Sequence, residues 1–252
     1  VAGRPTTSAS GSSAAVSSPR WPSLSRVSTP TASLGPAYRS ATLDALDGGE
    51  FDVIIIGGGI TGVGCALDAA SRGLTVALIE QRDISSGTSS RSSKLFHGGL
   101  RYLEQFNFKL VNEALHEREL IRQKLAPHLV WPVPFIYPLS HHVWERAYVG
   151  AGITLYDAMA KLGGNTLPRQ WHLSKTDLVE VFPSIKADDF VGGIRYYDAG
   201  CDDARFTLAV GRTAAAHGAH ILTSARVEGL IREEGAVKGV SATCLETGRG
   251  FD

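Results

Sequence analysis

The stretch Phe51-Asp-Val-Ile-Ile-Ile-Gly-Gly-Gly-Ile-Thr-Gly-Val-Gly-Cys-Ala-Leu-Asp-Ala-Ala-Ser-Arg-Gly-Leu-Thr-Val-Ala-Leu-Ile-Glu80 decides the fold class. Its first six residues are a β-branched run, which reads as a buried parallel strand. The run passes directly into Gly57-Gly58-Gly59-Ile60-Thr61-Gly62, a G-x-G-x-x-G turn. Val63, Ala66, Leu67 and Ala70 then recur at helical spacing, and Arg72-Gly73 closes the helix. Leu74 to Ile79 reads as a second strand ending in Glu80.

Each part of this βαβ unit has a physical task. Gly57 permits the tight strand-to-helix turn, Gly59 lets the backbone approach a pyrophosphate, and Gly62 lets the helix pack close to the strand. Gly58 and Thr61 complete the turn, and the helix N-terminus offers free N–H groups and a positive dipole end to phosphates. Glu80 can accept hydrogen bonds from both hydroxyls of a ribose and would repel a 2′-phosphate, which disfavours NADP. The unit is a dinucleotide site, and by itself it does not separate FAD from NAD.

The next segment does. Ser85 to Glu104 reads S-S-G-T-S-S-R-S-S-K-L-F-H-G-G-L-R-Y-L-E, where an NAD-type fold would continue with a crossover helix. Small hydroxyl side chains can donate to pyrophosphate oxygens, and the pair Gly98-Gly99 would let the main chain lie against a flat ring system. The block from Thr88 to Glu104 resembles the flavin-contacting signature of FAD-dependent glycerol-3-phosphate dehydrogenases of the mitochondrial type. E-A-L-H-E-R (Glu113 to Arg118), A-P-H-L (Ala126 to Leu129) and Y-Y-D-A-G-C-D-D-A-R (Tyr196 to Arg205) are similar to the same family. The wider group of D-amino-acid-oxidase-like flavoenzymes shares the βαβ unit but not the H-G-G-x-R-Y run.

The resemblance implies an α/β fold: a Rossmann-like FAD-binding domain, discontinuous over 50–128 and 198–252, with an inserted α+β substrate or cap domain over 129–197. It implies a C-terminally truncated arrangement, since the chain stops at Asp252 before the strand, glycine turn and phosphate-gripping basic residues of that family. Carried over by position, Ser89, Ser90, Ser93, Lys94, Leu95, His97, Gly98 and Gly99 would line the FAD, and the Val227 backbone would touch the adenine. Arg101 and Tyr102 would face the substrate, with His97 a candidate for proton transfer or for holding the flavin edge. On residue type alone, Arg101 could equally pair with Glu104 and Tyr102 pack as a core aromatic. The implied reaction is oxidation of sn-glycerol 3-phosphate to dihydroxyacetone phosphate by hydride transfer to FAD, with electrons passed to a membrane quinone. The alternatives are a glycerol-3-phosphate oxidase using dioxygen and a non-catalytic, truncated FAD-binding fragment.

The rest of the chain bounds this reading. Composition is ordinary for a soluble α/β protein, at 43% hydrophobic and 20% charged, and a formal net charge of +0 gives no reason to expect a nucleic acid partner. Cys65, Cys201 and Cys244 are odd in number and far apart, which argues against disulfides and metal clusters; His141-His142 lacks a third ligand nearby, so no metal site is expected. From Val1 to Leu43 there is no acidic residue, while Arg4, Arg20, Arg26 and Arg39 stand among many Ser, Thr, Ala and Pro. Such a segment reads as a disordered transit peptide over 1–43. Composition does not separate mitochondrion from plastid; the resemblance points to the mitochondrial inner membrane, peripherally.

No apolar run reaches the ~18 residues of a membrane-spanning helix. Phe108 to Leu125 predicts an amphipathic helix stopped by Pro127, and Trp131 to Pro138 an extended strand whose prolines suit a sheet edge. Residues 143–162 predict a helix apolar on most sides, for domain packing or a membrane surface. Ser174 and Asp177 form a capping-box variant. Asp203 to His217 predicts a helix with Phe206, Leu208, Val210 and Ala214 inward. His220 to Arg232 reads as one returning strand, and Val237 to Asp252 as a hairpin.

Overall fold

Pro36 at the first helical position, with Thr42, Leu43 and Leu46 on the buried side, gives α1 (Pro36–Leu46), the first element of the computed structural model, which describes residues 33–252 apart from Gly163 and Asn165. This corrects the boundary of the expected disordered tail: 36–43 belong to a packed helix. Tyr38 Oη donates to the Ala219 carbonyl (2.8 Å) and accepts from the Ile221 N–H (3.0 Å). Arg249 pairs with Asp44 (2.9 Å) and Asp47 (2.6 Å). Apolar burial plus these ties offset an ordering entropy that composition alone does not weigh. The remainder of the transit-peptide expectation falls on 1–32, outside the described residues.

The βαβ stretch folds as β1 (Val53–Ile56), α2 (Ile60–Ser71) and β2 (Val76–Ile79), with β1 and β2 parallel and in register from Val53↔Val76 to Ile56↔Ile79. After the two-residue strand β3 (Leu95–Phe96) comes α3 (Phe108–Leu120), which ends in a π-helical turn, Ile121–Leu125, ahead of Pro127. β4 (Val130–Leu139), α4 (Trp144–Leu162), β5 (Trp171–Ser174) and α5 (Lys175–Val181) come next, α5 opened by the full capping box of Ser174 and Asp177. β6 (Gly192–Cys201) leads into α6 (Asp203–Ala216), and the chain ends with β7 (His220–Leu222), β8 (Ala225–Glu233), β9 (Ala236–Cys244) and β10 (Gly250–Phe251).

Three layers result. The parallel sheet has the order β1-β2-β7. One face is covered by α2 and α6, through Val63, Ala66, Ala70, Ala214 and Ala215 against Val76, Leu78 and Ile221. The other is covered by α1 and the antiparallel meander β8-β9-β10, through Leu43, Leu46, Val240, Ala242 and Phe251 against Ala77, Ile79 and Leu222. A third sheet, antiparallel like the meander, has β6 at its centre, β4 along one side and β3 and β5 on the other. β4 carries Pro132, Pro134 and Pro138 and pairs only with β6 among the described residues, so the prolines do sit at an edge.

Four expectations change. β1 is not a buried strand: Ile54 and Ile56 are exposed (37% and 57%), because it borders only β2 among the described residues. The 220–232 run is two strands in different sheets, broken at Ser224, which adopts a left-handed φ of 48°. On α6 the buried face is Asp203, Thr207, Gly211, Ala214 and Ala215, whereas Leu208 is exposed. β6 runs unbroken through position 198, and β3 joins its sheet, so the expected cap boundary at 197/198 cuts a strand and 95–96 belongs to the cap sheet.

Candidate functional site

The loop between β1 and α2 is built by close approach. A Cβ on Gly62 would collide with the Gly57 carbonyl and lie 3.4 Å from Ile55, so the helix can meet the strand only with glycine there. The Gly57 N–H donates to the Ile79 carbonyl (2.9 Å), and the Gly58 N–H to Glu80 Oε2 (2.7 Å). Glu80 Oε1 accepts from the Arg82 N–H (2.7 Å), and the residue is 8% exposed. Glu80 is therefore no surface group: it braces the turn, and each oxygen keeps a further lone pair for a ribose hydroxyl. Gly59 caps α2, and Thr61 is exposed in its first turn.

The serine-rich segment folds over this helix end. Thr88–Ser90 is one 3-10 turn, and Ser89 Oγ accepts from the Ile60 N–H (2.9 Å), the contact a phosphate oxygen makes at a helix N-terminus. Ser90 Oγ lies 3.3 Å from the Gly87 carbonyl. Ser85, which the sequence reading did not single out, donates its N–H to the Gly58 carbonyl (2.9 Å), while its buried hydroxyl has no partner among the described residues. A buried hydroxyl without a partner, a serine-capped helix start and a braced acidic residue fit a dinucleotide.

Further along, the residues divide. Ser93 is exposed and Leu95 half-buried. Lys94 does not extend toward the turn: Nζ pairs with Asp203 Oδ1 (2.8 Å), while Ser92 Oγ donates to Asp203 Oδ2 (2.7 Å). The hydrogen bond from Lys94, helped by those from Ser92, holds the Asp203 carboxyl down at about 2. His97 is exposed, Gly98 and Gly99 are buried, and Tyr102 is 40% exposed. Arg101 lies in the 3-10 turn Leu100–Tyr102; its side chain is outside the described part. Val227 lies in β8, half-buried, just before a bulge. The structure thus brings Gly57–Gly62, Glu80, Ser85 and Ser89 together, while Lys94 is turned to Asp203.

A buried polar cluster stands behind this turn. The Arg118 side chain is 1% exposed and pairs with Asp198 (2.6 Å) and Glu119 (3.1 Å). Tyr156 Oη donates to Asp198 Oδ2 (3.0 Å) and accepts from the Gly98 N–H (2.8 Å). Burial pushes the Asp198 carboxyl above the ordinary carboxylate range against the opposing pull of Arg118, and burial with the Asp198 charge pushes the Tyr156 phenol far up. The sequence carries one signal of it: Val111, Leu115 and Arg118 share a helical stripe, so Arg118 extends the buried face of α3.

Several known proteins are similar to this chain. A glycerol-3-phosphate dehydrogenase 2 from Mycobacterium bovis is 53% identical over 219 residues, covering 87% of this chain and 37% of the relative. A mitochondrial glycerol-3-phosphate dehydrogenase from Macaca fascicularis is 42% identical over 239 residues, covering 90% and 32%. The chain spans about a third of the length of the curated relatives it matches. Among solved structures, the glycerol-3-phosphate dehydrogenase of Bacillus halodurans complexed with FAD superposes with a TM-score of 0.60 at 30% identity, over 84% of this chain and 34% of that one. The family model described as FAD dependent oxidoreductase matches residues 52–251, the βαβ unit and all three sheets included; the chain belongs to that family and has its D-amino-acid-oxidase-like fold.

Proposed function

We propose that this chain is the flavin-binding part of an enzyme that oxidises sn-glycerol 3-phosphate to dihydroxyacetone phosphate and passes the electrons to a membrane quinone. The observation that carries the reading is the 53% identity to a glycerol-3-phosphate dehydrogenase over 219 residues. FAD, when bound, supplies the redox chemistry by accepting a hydride from the substrate carbon. Gly59 at the start of α2, with Ser89 capping the helix, would hold the pyrophosphate, and Glu80 the adenosine ribose. His97, Gly98 and Gly99 would border the flavin ring. Arg101 keeps its charge at any working pH and pairs with the developing alkoxide or a phosphate oxygen of the substrate. Tyr102 orients the substrate from the same turn.

The 42% identity to a mitochondrial relative and the acid-free N-terminus support a mitochondrial location, with peripheral attachment to the inner membrane suited to a quinone acceptor. No helix among the described residues is long and apolar enough to cross a membrane. The test is to load the full polypeptide with FAD and assay sn-glycerol 3-phosphate against a quinone analogue and against dioxygen. Quinone reduction with little peroxide is the expected result. Stoichiometric peroxide would make the protein an oxidase, and no flavin reduction by the substrate would refute the substrate assignment.

A further inference from the structure

Gly98 and Gly99 carry no side chains with which to anchor their own turn by packing. The anchor comes from elsewhere: a Cβ on Gly98 would collide with Leu115 and lie 2.6 Å from Tyr156 Oη, and the Gly98 N–H donates to that same hydroxyl (2.8 Å). Donor and acceptor roles give this chain of hydrogen bonds one direction. An amide can only donate, so the phenol accepts from it, and the single phenol proton goes to Asp198 Oδ2 (3.0 Å). Arg118 Nη1 supplies the balancing charge at Asp198 Oδ1 (2.6 Å). Tyr156 and Arg118 are 1% and 2% exposed, so water does not substitute for any member of the chain. Its members come from the turn, α3, α4 and β6, so this hydroxyl joins two helices and the central strand of the cap sheet to the turn, beside the β3–β6 pairing and the Leu115 contact.

We propose that Tyr156 and Asp198 are positioning residues for the flavin: they fix the peptide plane between His97 and Gly98 against the flavin ring. The inference rests on the reading that this turn borders FAD. Tyr156→Phe in the FAD-loaded full polypeptide keeps the ring in its pocket and leaves the Gly98 N–H without its acceptor. Flavin should still bind, with its visible absorption band and fluorescence shifted and its dissociation constant raised roughly five- to tenfold or more. Val111→Ala is the control: it loosens the same buried cluster of Leu103, Val111, Leu115, Tyr156 and Ala160 without touching the hydrogen-bond chain, so the flavin spectrum should stay at wild type. Asp198→Asn preserves shape but removes the charged acceptor of the phenol proton; it should reproduce the spectral shift and serves if Tyr156→Phe does not fold. Wild-type spectrum and affinity in Tyr156→Phe or Asp198→Asn would overturn the proposal, as would an equal shift in Val111→Ala, which would make the chain merely structural. A wild-type polypeptide that takes up no FAD would overturn the cofactor reading, and this inference with it.

Discussion

Replacing Arg118 with methionine keeps a flexible unbranched stem, shorter by the guanidinium end, and removes the charge, which tests what a cation does in this interior. Arg118 touches two carboxylates, Asp198 at 2.6 Å and Glu119 at 3.1 Å. Glu119 retains Arg122 (2.7 Å) and Gln123 (2.8 Å), so the loss falls on Asp198, whose side chain is 7% exposed and would keep the Tyr156 hydroxyl but no cation to balance its charge. Removing one partner of a buried ion pair costs about 3–5 kcal/mol. For a polypeptide of this size each kcal/mol lowers Tm by about 2–4 °C, so a fall of about 6–20 °C is expected.

The cost should depend on pH, with a definite sign. Burial already raises Asp198, and Arg118 is the main group opposing it, so without Arg118 the carboxyl rises further. A carboxyl raised in the folded state contributes stability that is present below its unfolded pKa and lost as pH rises through the folded value. The deficit of Arg118→Met should therefore be largest at neutral pH and shrink on acidification toward pH ~4, where an ordinary Asp protonates. Tyr156, Tyr196 and His97 also face Asp198. Guanidinium unfolding of both proteins from pH 8 to pH 5 measures it. A deficit under about 1 kcal/mol at pH 7, or one unchanged across that range, would refute the reasoning.

At the dinucleotide turn, Gly59→Val should leave the fold intact and abolish FAD uptake, since a Cβ there lies 3.1 Å from Ser89 Oγ and its methyls would enter the space before α2; stoichiometric FAD after gel filtration would count against the loop assignment. Glu80→Ala strips the acceptor from the Gly58 and Arg82 N–H groups and should cost about 1–3 kcal/mol of stability as well as FAD affinity, while Glu80→Gln, which keeps one acceptor and turns an NH2 donor toward the other N–H, restores only part of the stability, as paired unfolding and FAD titrations would show. Lys94→Met should release Asp203 from about 2 toward its ordinary range. A depressed carboxylate contributes stability present above its unfolded pKa and lost as pH falls through the folded one, so the variant should be less stable at neutral pH and converge with wild type near pH ~2 in thermal scans. Arg101→Lys should keep FAD and lose on the order of a hundredfold in kcat/KM; normal turnover would make Arg101 structural.

What was legible in the sequence was what is local. The strand, the G-x-G-x-x-G turn, the helix and Glu80 announce themselves within thirty consecutive positions, each by backbone demand or periodicity. The prolines of β4 and the Ser174–Asp177 box are equally local devices. The cluster behind the turn was not legible, because its bonds join residues 42 and 80 positions apart and a charged residue on a helix reads by default as solvated. The helical register of Val111, Leu115 and Arg118 was there to be noticed, but it says only that Arg118 is buried, not which carboxylate meets it. Likewise, Thr223-Ser224 holds no glycine or proline to mark the break between β7 and β8; the break arises from α1 and the meander closing over the far face of the parallel sheet.

The pair Gly98-Gly99 shows how a glycine expected to serve a ligand also answers to the protein's own packing. Paired glycines next to a flavin suggest room left for the ring. In the fold, the space into which a Gly98 side chain would project is filled by Leu115 and the Tyr156 hydroxyl. Glycine is required there by the protein's own packing, and a flat cofactor can meet only the opposite side of that peptide. A substitution at Gly98 would therefore strike the core first and the flavin second. Loss of flavin in such a variant would not reveal which side of the peptide the cofactor touches. The conservative removal of one hydroxyl at Tyr156, which leaves both faces of the turn unobstructed, separates the two effects.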